Sequence, residues 1–295
     1  MLRSIRDPVN SQAMNPLVPC AACCGLVVAL AMPPLLAQTN STNGPSVQEL
    51  SKPLEPIPPI TTMKPPWPSP SLNPGVPSAF VAQWGDVFVG VSGATPGNRP
   101  DVDGSLGLGF GLGSSTRSVA LEVNAGCGSF KRFCGSGGLG FRLGRVLVQN
   151  PTGWLAVSGL WQNAVQWSFE GRQDNIVAAT VSYARPLRPI SSGFAQTLQF
   201  NAGVGNSTLA PYTATNSESK VGGFASIGVE LTPALGVSTG WSGRGVNAQL
   251  SYTPFEATPL TFNLLGADLF NQNPSGTVAV LSVAWGSNFR TPNFR

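Results

Sequence analysis

The sequence predicts an all-β protein: an antiparallel transmembrane β-barrel of about 12 strands, preceded by a signal peptide and a Pro-rich disordered linker. Two observations support this. Apolar residues alternate with Gly, Ser, Asn and Gln from residue 79 onwards, the side-chain period of a β-strand. Only 10% of residues are charged, against about a quarter in soluble domains. The polar face is therefore too uncharged for a water-facing exterior and suits a lumen.

Residues 1–37 are predicted to be a secretory signal peptide. Arg3 and Arg6 form a basic start, an apolar run extends from Cys23 to Ala37, and Ala37 offers a tolerable cleavage site. Met14 is an alternative start. No later run reaches the roughly 18 apolar residues of a spanning helix, so any crossing of a membrane must be made by strands.

Residues 38–78 form the predicted Pro-rich linker. About a quarter of them are proline, a composition that favours an extended, semi-rigid chain without a core of its own. A disordered spacer is the simpler interpretation. A periplasmic tether or docking segment around Trp67 is the alternative.

Residues 79–295 are predicted to form the barrel, and Leu235–Pro254 is its clearest hairpin. Residues 235–241 and 246–252 each alternate an apolar face with an uncharged polar face. Between them lies a turn, residues 242–245, with glycines where a tight hairpin needs positive φ.

The same alternation predicts the other strands of the barrel. An even number places both chain ends on the periplasmic side, so connections after even strands should be short and those after odd strands longer. The short turn at 242–245 departs from this rule and suggests an error in the count. The region 260–270 is ambiguous, and a bulge there would explain its pattern. The ten further strands are 86–93, 105–112, 118–127, 138–146, 154–162, 176–184, 196–205, 224–231, 260–270 and 277–285.

The residue types exclude several kinds of chemistry. Histidine is absent, which removes His-based general bases, catalytic triads and His-ligated metals. Gly-rich strings such as 104–109 superficially resemble phosphate-binding loops, but alternation with Leu and Phe explains them as strand, and no helix follows. We therefore expect no enzyme activity, no cofactor and no metal site.

Four charges fall inside predicted strands: Glu122, Arg142, Glu230 and Asp268. By the parity of the alternation, Glu122 and Arg142 face the lumen from adjacent strands, and Glu230 also points inward. One hypothesis is that these lumen charges set the selectivity of a pore. The alternative, a structural ion pair in the lumen, is the interpretation we favour.

Two further groups belong to the predicted outer loops. The spacing of Cys127 and Cys134 predicts a disulfide that closes a hairpin loop in an oxidising compartment; two free thiols are the alternative. The loops also carry basic residues that could contact acidic glycans, although exposed loop charges are usually only solvated. These outer-loop basic residues are Arg99, Lys131, Arg132 and Arg172.

The segment Gly222–Pro259 resembles the closing hairpins of a family of uncharacterised cyanobacterial outer-membrane β-barrel proteins. It is more distantly similar to the barrels of exopolysaccharide and capsule secretion proteins. Ser242 departs from the family, which has an acidic residue beside the hairpin Trp, and the C-terminus lacks a terminal aromatic residue. The matching positions are Trp241, Gly243, Asn247, Leu250, Ser251, Pro254 and Phe255.

Together, pattern and resemblance predict an outer-membrane barrel with porin-like passage or export of small solutes or polysaccharide. The alternatives are a sealed envelope scaffold or surface-interaction protein without transport, and a secreted soluble β-domain. The expected location is the bacterial outer membrane. Outer-membrane lipid is the expected partner and envelope polysaccharide a further candidate, whereas nucleic acid is not expected. The net charge of +4 is mild, and we attach no function to it.

Overall fold

A computed structural model describes residues 69–98, 102–128, 134–168, 175–189, 192–211 and 221–290. These residues form a closed barrel in which each strand pairs with its sequence neighbours and β1 pairs with β12. All the pairings are antiparallel. The predicted fold class is confirmed. The predicted signal peptide and the linker up to residue 68 lie outside the described residues.

Twelve strands build the barrel wall, close to the positions that the alternation predicts. They are β1 (Asp86–Ala94), β2 (Asp103–Gly113), β3 (Ala120–Cys127), β4 (Ser136–Asn150), β5 (Gly153–Ser168), β6 (Ile176–Pro186), β7 (Thr197–Gly205), β8 (Gly222–Thr232), β9 (Leu235–Trp241), β10 (Val246–Tyr252), β11 (Leu260–Ala267) and β12 (Val278–Asn288).

The barrel is apolar outside and polar inside. Outward side chains such as Leu108 and Val181 are 50% and 48% exposed, whereas the inward Asn201 and Ser251 are 2% and 0% exposed. No part of the chain that the structure describes covers the apolar exterior as a second layer. This arrangement inverts that of a soluble domain, in which apolar side chains pack inside.

The two ends of the barrel differ in their connections. We call the end with the connections after even-numbered strands the lower rim, and the opposite end the upper rim. At the lower rim, only Pro233 and Ala234 separate β8 from β9. The turn at 242–245 is short but lies at the upper rim between β9 and β10. It is therefore a tight upper connection, and the suspicion of an error in the count there was wrong.

Bulges occur in the wall, but not where the sequence suggested. The register shifts between β4 and β5 and again between β8 and β9, at Glu230. The expected bulge in 260–270 is wrong, since β11 pairs without a shift on both sides. The ambiguity there has another cause: β11 ends at Ala267, and Asp268 adopts a left-handed φ of 51°.

Ahead of β1, the chain lies inside the barrel. We call residues 70–83 the lumen segment. It starts beside Gly236 near the lower rim, reaches the upper half at Val76, and returns to the lower rim before β1. Residues 70–78, which the sequence assigns to the linker, belong to this stretch. A Pro-rich chain cannot build a core by itself, but here the barrel's inner wall supplies one.

The lumen and its inserted segment

The first arm of the lumen segment lies on β9 and β10. The amide N–H of Ser71 donates to Ser251 Oγ at 2.8 Å, and Gln249 Nε2 donates to the carbonyl of Ser71 at 3.4 Å. Nearer the upper rim, Asn247 Nδ2 donates to the carbonyl of Pro74 at 3.0 Å. Wall side chains thus satisfy backbone groups of the segment that water would otherwise solvate.

Asn73 is the centre of a buried amide network. Its Oδ1 accepts from Gln199 Nε2 at 2.8 Å and from Asn201 Nδ2 at 3.0 Å. Asn201 also donates to Ser226 Oγ at 3.0 Å and accepts from Ser182 Oγ at 2.6 Å. Three neighbouring strands therefore contribute to one network, in which β7 contacts Asn73 directly.

The second arm returns along β6 and β3. The amide N–H of Ala79 donates to Ser182 Oγ at 2.7 Å, and that of Ala82 donates to Glu122 Oε2 at 3.1 Å. Glu122 lies 3.7 Å from Arg142 Nη1 on β4. The ion pair and the segment therefore share one carboxylate.

Glycines on the wall make room for the segment. A Cβ added to Gly228 would lie 2.7 Å from Leu72 Cβ, and one added to Gly236 would lie 2.9 Å from Leu72 Cδ2. On the other arm, a Cβ at Gly144 would lie 2.7 Å from Val81 Cγ1. At Gly228 the nearest atoms are the backbone and Cβ of Leu72, which cannot move aside, whereas at Gly236 the nearest atom is the flexible end of the Leu72 side chain. The wall is thus shaped to accommodate the segment.

An apolar cluster, which Val76 of the segment completes, closes the upper end of this half of the lumen. Leu209, in a short 3₁₀ helix after β7, belongs to this cluster. Arg244 holds that helix by donating to the carbonyls of Ser207 and Ala210 at 2.9 and 3.1 Å. The segment thus ends its ascent against a fixed apolar cap. The cluster comprises Val76, Leu160, Ala178, Leu209 and Phe224.

The opposite part of the wall stays less occupied. Ser92 and Ser105 share a hydrogen bond of 2.7 Å between hydroxyls, and Asn263 Nδ2 donates to Ser282 Oγ at 3.3 Å. A Cβ added to Gly107 would meet nothing closer than 4.0 Å. We call this strip the open sector; its inward residues are Gly90, Ser92, Ser105, Gly107, Asn263, Ser282 and Ala284.

A cavity of about 380 Å³ lies at the lower rim beneath the open sector. Its lining comes from the lumen segment at Ala82, from β1 at Asp86 and Phe88, and from β11 and β12 at Thr261 and Gly286. The cavity therefore separates the segment from the wall of the open sector. Apart from Asp86, these side chains are uncharged.

The structure separates the predicted lumen charges into two places. Glu122 and Arg142 lie together on β3 and β4, as register partners. Glu230 lies elsewhere: its Oε2 accepts from the amide N–H of Thr197 at 2.7 Å near the lower rim. Asp268, expected inside a strand, lies just beyond the end of β11, where its carboxylate accepts from backbone amides of the following turn. Its place there follows from the left-handed backbone that ends the strand.

The predicted cysteine pair lies at the upper rim. The two sulfurs of Cys127 and Cys134 are bonded, with their Cα atoms 4.8 Å apart. Trp167 Nε1 donates to the carbonyl of Cys134 at 3.1 Å, which ties the loop to β5. The predicted outer-loop basic residues Arg99, Lys131, Arg132 and Arg172 lie outside the described residues.

Among the described residues, no three His, Cys, Asp or Glu side chains are grouped so that they could hold a metal ion. Nor does any helix in that part of the chain have the length and apolar character needed to cross a membrane.

The lumen segment is the functional element that sequence reasoning missed. It has no periodicity of its own, because its contacts follow the barrel wall and not a regular backbone. A signal existed in the wall: inward glycines at positions 144, 228 and 236 are smaller than a filled lumen requires. Leu72 and Val76, apolar residues between prolines, were the matching signal in the segment.

Comparison with known proteins finds only distant structural likenesses. No protein-family model matches the chain, and no curated protein matches it either. Among solved structures, the NanC porin is 7% identical, with 68% of this chain and 98% of that chain covered and a TM-score of 0.46. The outer membrane protein Omp33 of Acinetobacter baumannii is 10% identical, with 68% and 97% covered and a TM-score of 0.38. The functional argument therefore rests on this chain's own geometry.

Proposed function

We propose that this protein is an outer-membrane β-barrel that passes small neutral polar solutes through the open sector. The observation that carries the proposal is the strip of Ser, Gly and Asn residues beside the lumen segment, inside a barrel whose exterior is apolar. Outer-membrane lipid is the partner of that exterior, and a secretory signal peptide is the route to it.

The exterior supports a location in lipid. Closing the sheet pairs β1 with β12, so no strand edge leaves polar backbone groups in hydrocarbon, where each would cost several kcal/mol. Trp241 ends β9 at the upper rim and Tyr252 ends β10 at the lower rim. Aromatic residues at both rims are typical of the two membrane interfaces.

The lining of the open sector favours neutral solutes. Hydroxyl and amide groups replace the hydrogen bonds that a sugar or a similar solute gives up on leaving water. The charges of Glu122 and Arg142 lie instead on the wall behind the lumen segment and face each other. We infer that this pair has a structural role, so the pore should have weak ion selectivity.

Planar bilayer recordings of the purified full-length protein test this proposal. Wild type should conduct with little preference between cations and anions. Ser92→Arg puts a long basic side chain in the open sector and should lower conductance and shift selectivity towards anions. Arg142→Ala is the matched control and should leave selectivity unchanged. Silent bilayers, or a selectivity shift in Arg142→Ala alone, would overturn the proposal.

A sealed envelope scaffold is the second candidate. The apolar cluster around Leu209 favours it, because that cluster closes one half of the lumen at the upper rim. Silent wild-type bilayers would favour this candidate. The resemblance also implies a larger cargo, a polysaccharide chain. Its passage would require a barrel from which the lumen segment has withdrawn.

A further inference from the structure

We infer that the lumen segment is a withdrawable plug, which gives the barrel a second and wider conduction state. With the segment inside, only the open sector conducts; with the segment outside, the whole lumen does. This inference rests on the proposed function, since both states are defined by passage through the barrel. Three features of the segment carry it: its route, the chemistry of its contacts and the shape of its wall.

The route allows withdrawal without disturbing the barrel. The segment enters and leaves at the same rim: Ser69 and Asp86, on either side of it, line one cavity at the lower rim. Between them the chain turns back in the upper half of the lumen, at Gly75 with a φ of 70°. A hairpin inserted from one end can slide out of that end as a loop, with no chain end to thread and no wall strand to open.

The polar contacts of the segment are of a kind that water can replace. The wall holds the segment mainly with neutral hydroxyl and amide groups, from residues such as Ser251, Asn201 and Asn247. Two wall carboxylates also accept from the segment, and each keeps a wall partner when the segment leaves: Arg142 for Glu122 and Asn288 for Asp86. Withdrawal therefore exposes polar groups to water and leaves neither carboxylate without a partner; the loss of the apolar contacts of Leu72 and Val76 opposes it.

The inserted state also leaves part of the wall unsatisfied. Thr180 and Ser238 are 2% and 7% exposed, and their hydroxyl oxygens have no hydrogen-bond partner among the described residues. Water would reach both hydroxyls once the segment had left.

The wall behind the segment would form a smooth, wide lumen. At Gly228 and Gly236 it carries no side chain where the segment passes, and neighbouring inward residues such as Ser226 and Ser238 are small. On β8, this stretch of small residues lies between the larger inward residues Phe224 and Glu230. Withdrawal would therefore enlarge the conducting cross-section.

A disulfide lock tests the plug. A Cβ at Gly236 would lie 3.1 Å from the Cβ of Pro70, a few tenths of an ångström short of the roughly 3.5–4.5 Å of a disulfide. Oxidised Pro70→Cys/Gly236→Cys should show only the narrow state, and reductant should restore wide openings. Wild type, with and without reductant, is the control. Equal frequencies of wide openings in the oxidised lock and in wild type would overturn the plug, as would their absence from wild type, the reduced variant and the expelling variant Gly228→Val described below.

An expelling substitution gives the opposite result and separates the two proposals. Gly228→Val places a methyl-bearing Cβ against Leu72 and should hold the barrel in the wide state, with severalfold higher conductance. Gly107→Val, in the open sector, should conduct at or below the wild-type level. Heat-modifiable mobility on gels confirms that each variant is folded.

If wild type is silent but folded Gly228→Val conducts, passage through the open sector fails and the plug stands. If wild type conducts and folded Gly228→Val equals it, the plug fails and the proposed function stands.

Discussion

Asn73→Ala should loosen the lumen segment without touching the barrel wall. The substitution removes two hydrogen bonds, which Gln199 and Asn201 donate to Asn73 from 126 and 128 positions away in the chain. Each such bond contributes about 1 kcal/mol net, so the inserted state should lose about 2 kcal/mol. At 1.4 kcal/mol per factor of ten, the withdrawn population rises about 30-fold.

A cysteine at Ser78 reports that population. Ser78 is 7% exposed, so Ser78→Cys should react with a water-soluble thiol reagent only when the segment leaves. Where withdrawal and return are faster than the reaction, the labelling rate follows the withdrawn fraction. We expect labelling about 30-fold faster with Asn73→Ala. Asn263→Ala, an amide of the open sector, is the control and should not change it. An unchanged rate in Asn73→Ala, or equal acceleration in both variants, would refute the reasoning.

Two further predictions concern the exterior and the upper rim. Val91→Arg, on the lipid face halfway along β1, should lower the amount of folded protein in the outer-membrane fraction, because a basic residue there costs about 2–4 kcal/mol. Ser92→Arg, which faces the lumen, is the control and should leave that amount unchanged. Replacing Cys127 and Cys134 with serine opens a loop with a sequence separation of 7, and chemical unfolding in detergent should show a loss of about 2 kcal/mol, matched by the reduced wild type.

The barrel strands were predictable because period-two alternation is a local property of the sequence. In residues 235–252, for example, the order of apolar and polar residues predicts which side chains lie on the outer face of the barrel. The strand end at Asp268 was not predictable, since a left-handed residue at a strand terminus interrupts the alternation much as a bulge does. Parity also placed Glu122 and Arg142 on one face of neighbouring strands, where the structure has them.

The lumen segment could not be predicted in the same way. Its order comes from partners such as Ser251 and Asn247, each more than 170 residues away in the chain. A Pro-rich composition predicts that the stretch forms no core of its own. It does not predict that the barrel wall binds the stretch. The glycines that make room for it resemble, in sequence, every other small inward residue of the barrel.

The distance along the chain between the two partners of each plug contact has a consequence for biogenesis. Ser71 precedes Ser251 by 180 residues, and the arms of the segment bind strands from β2 to β10. A partly assembled sheet offers only some of these sites, so the hairpin docks fully only after most of the cylinder exists. Docking would then act as a checkpoint: a freshly folded barrel becomes narrow once its assembly is nearly complete.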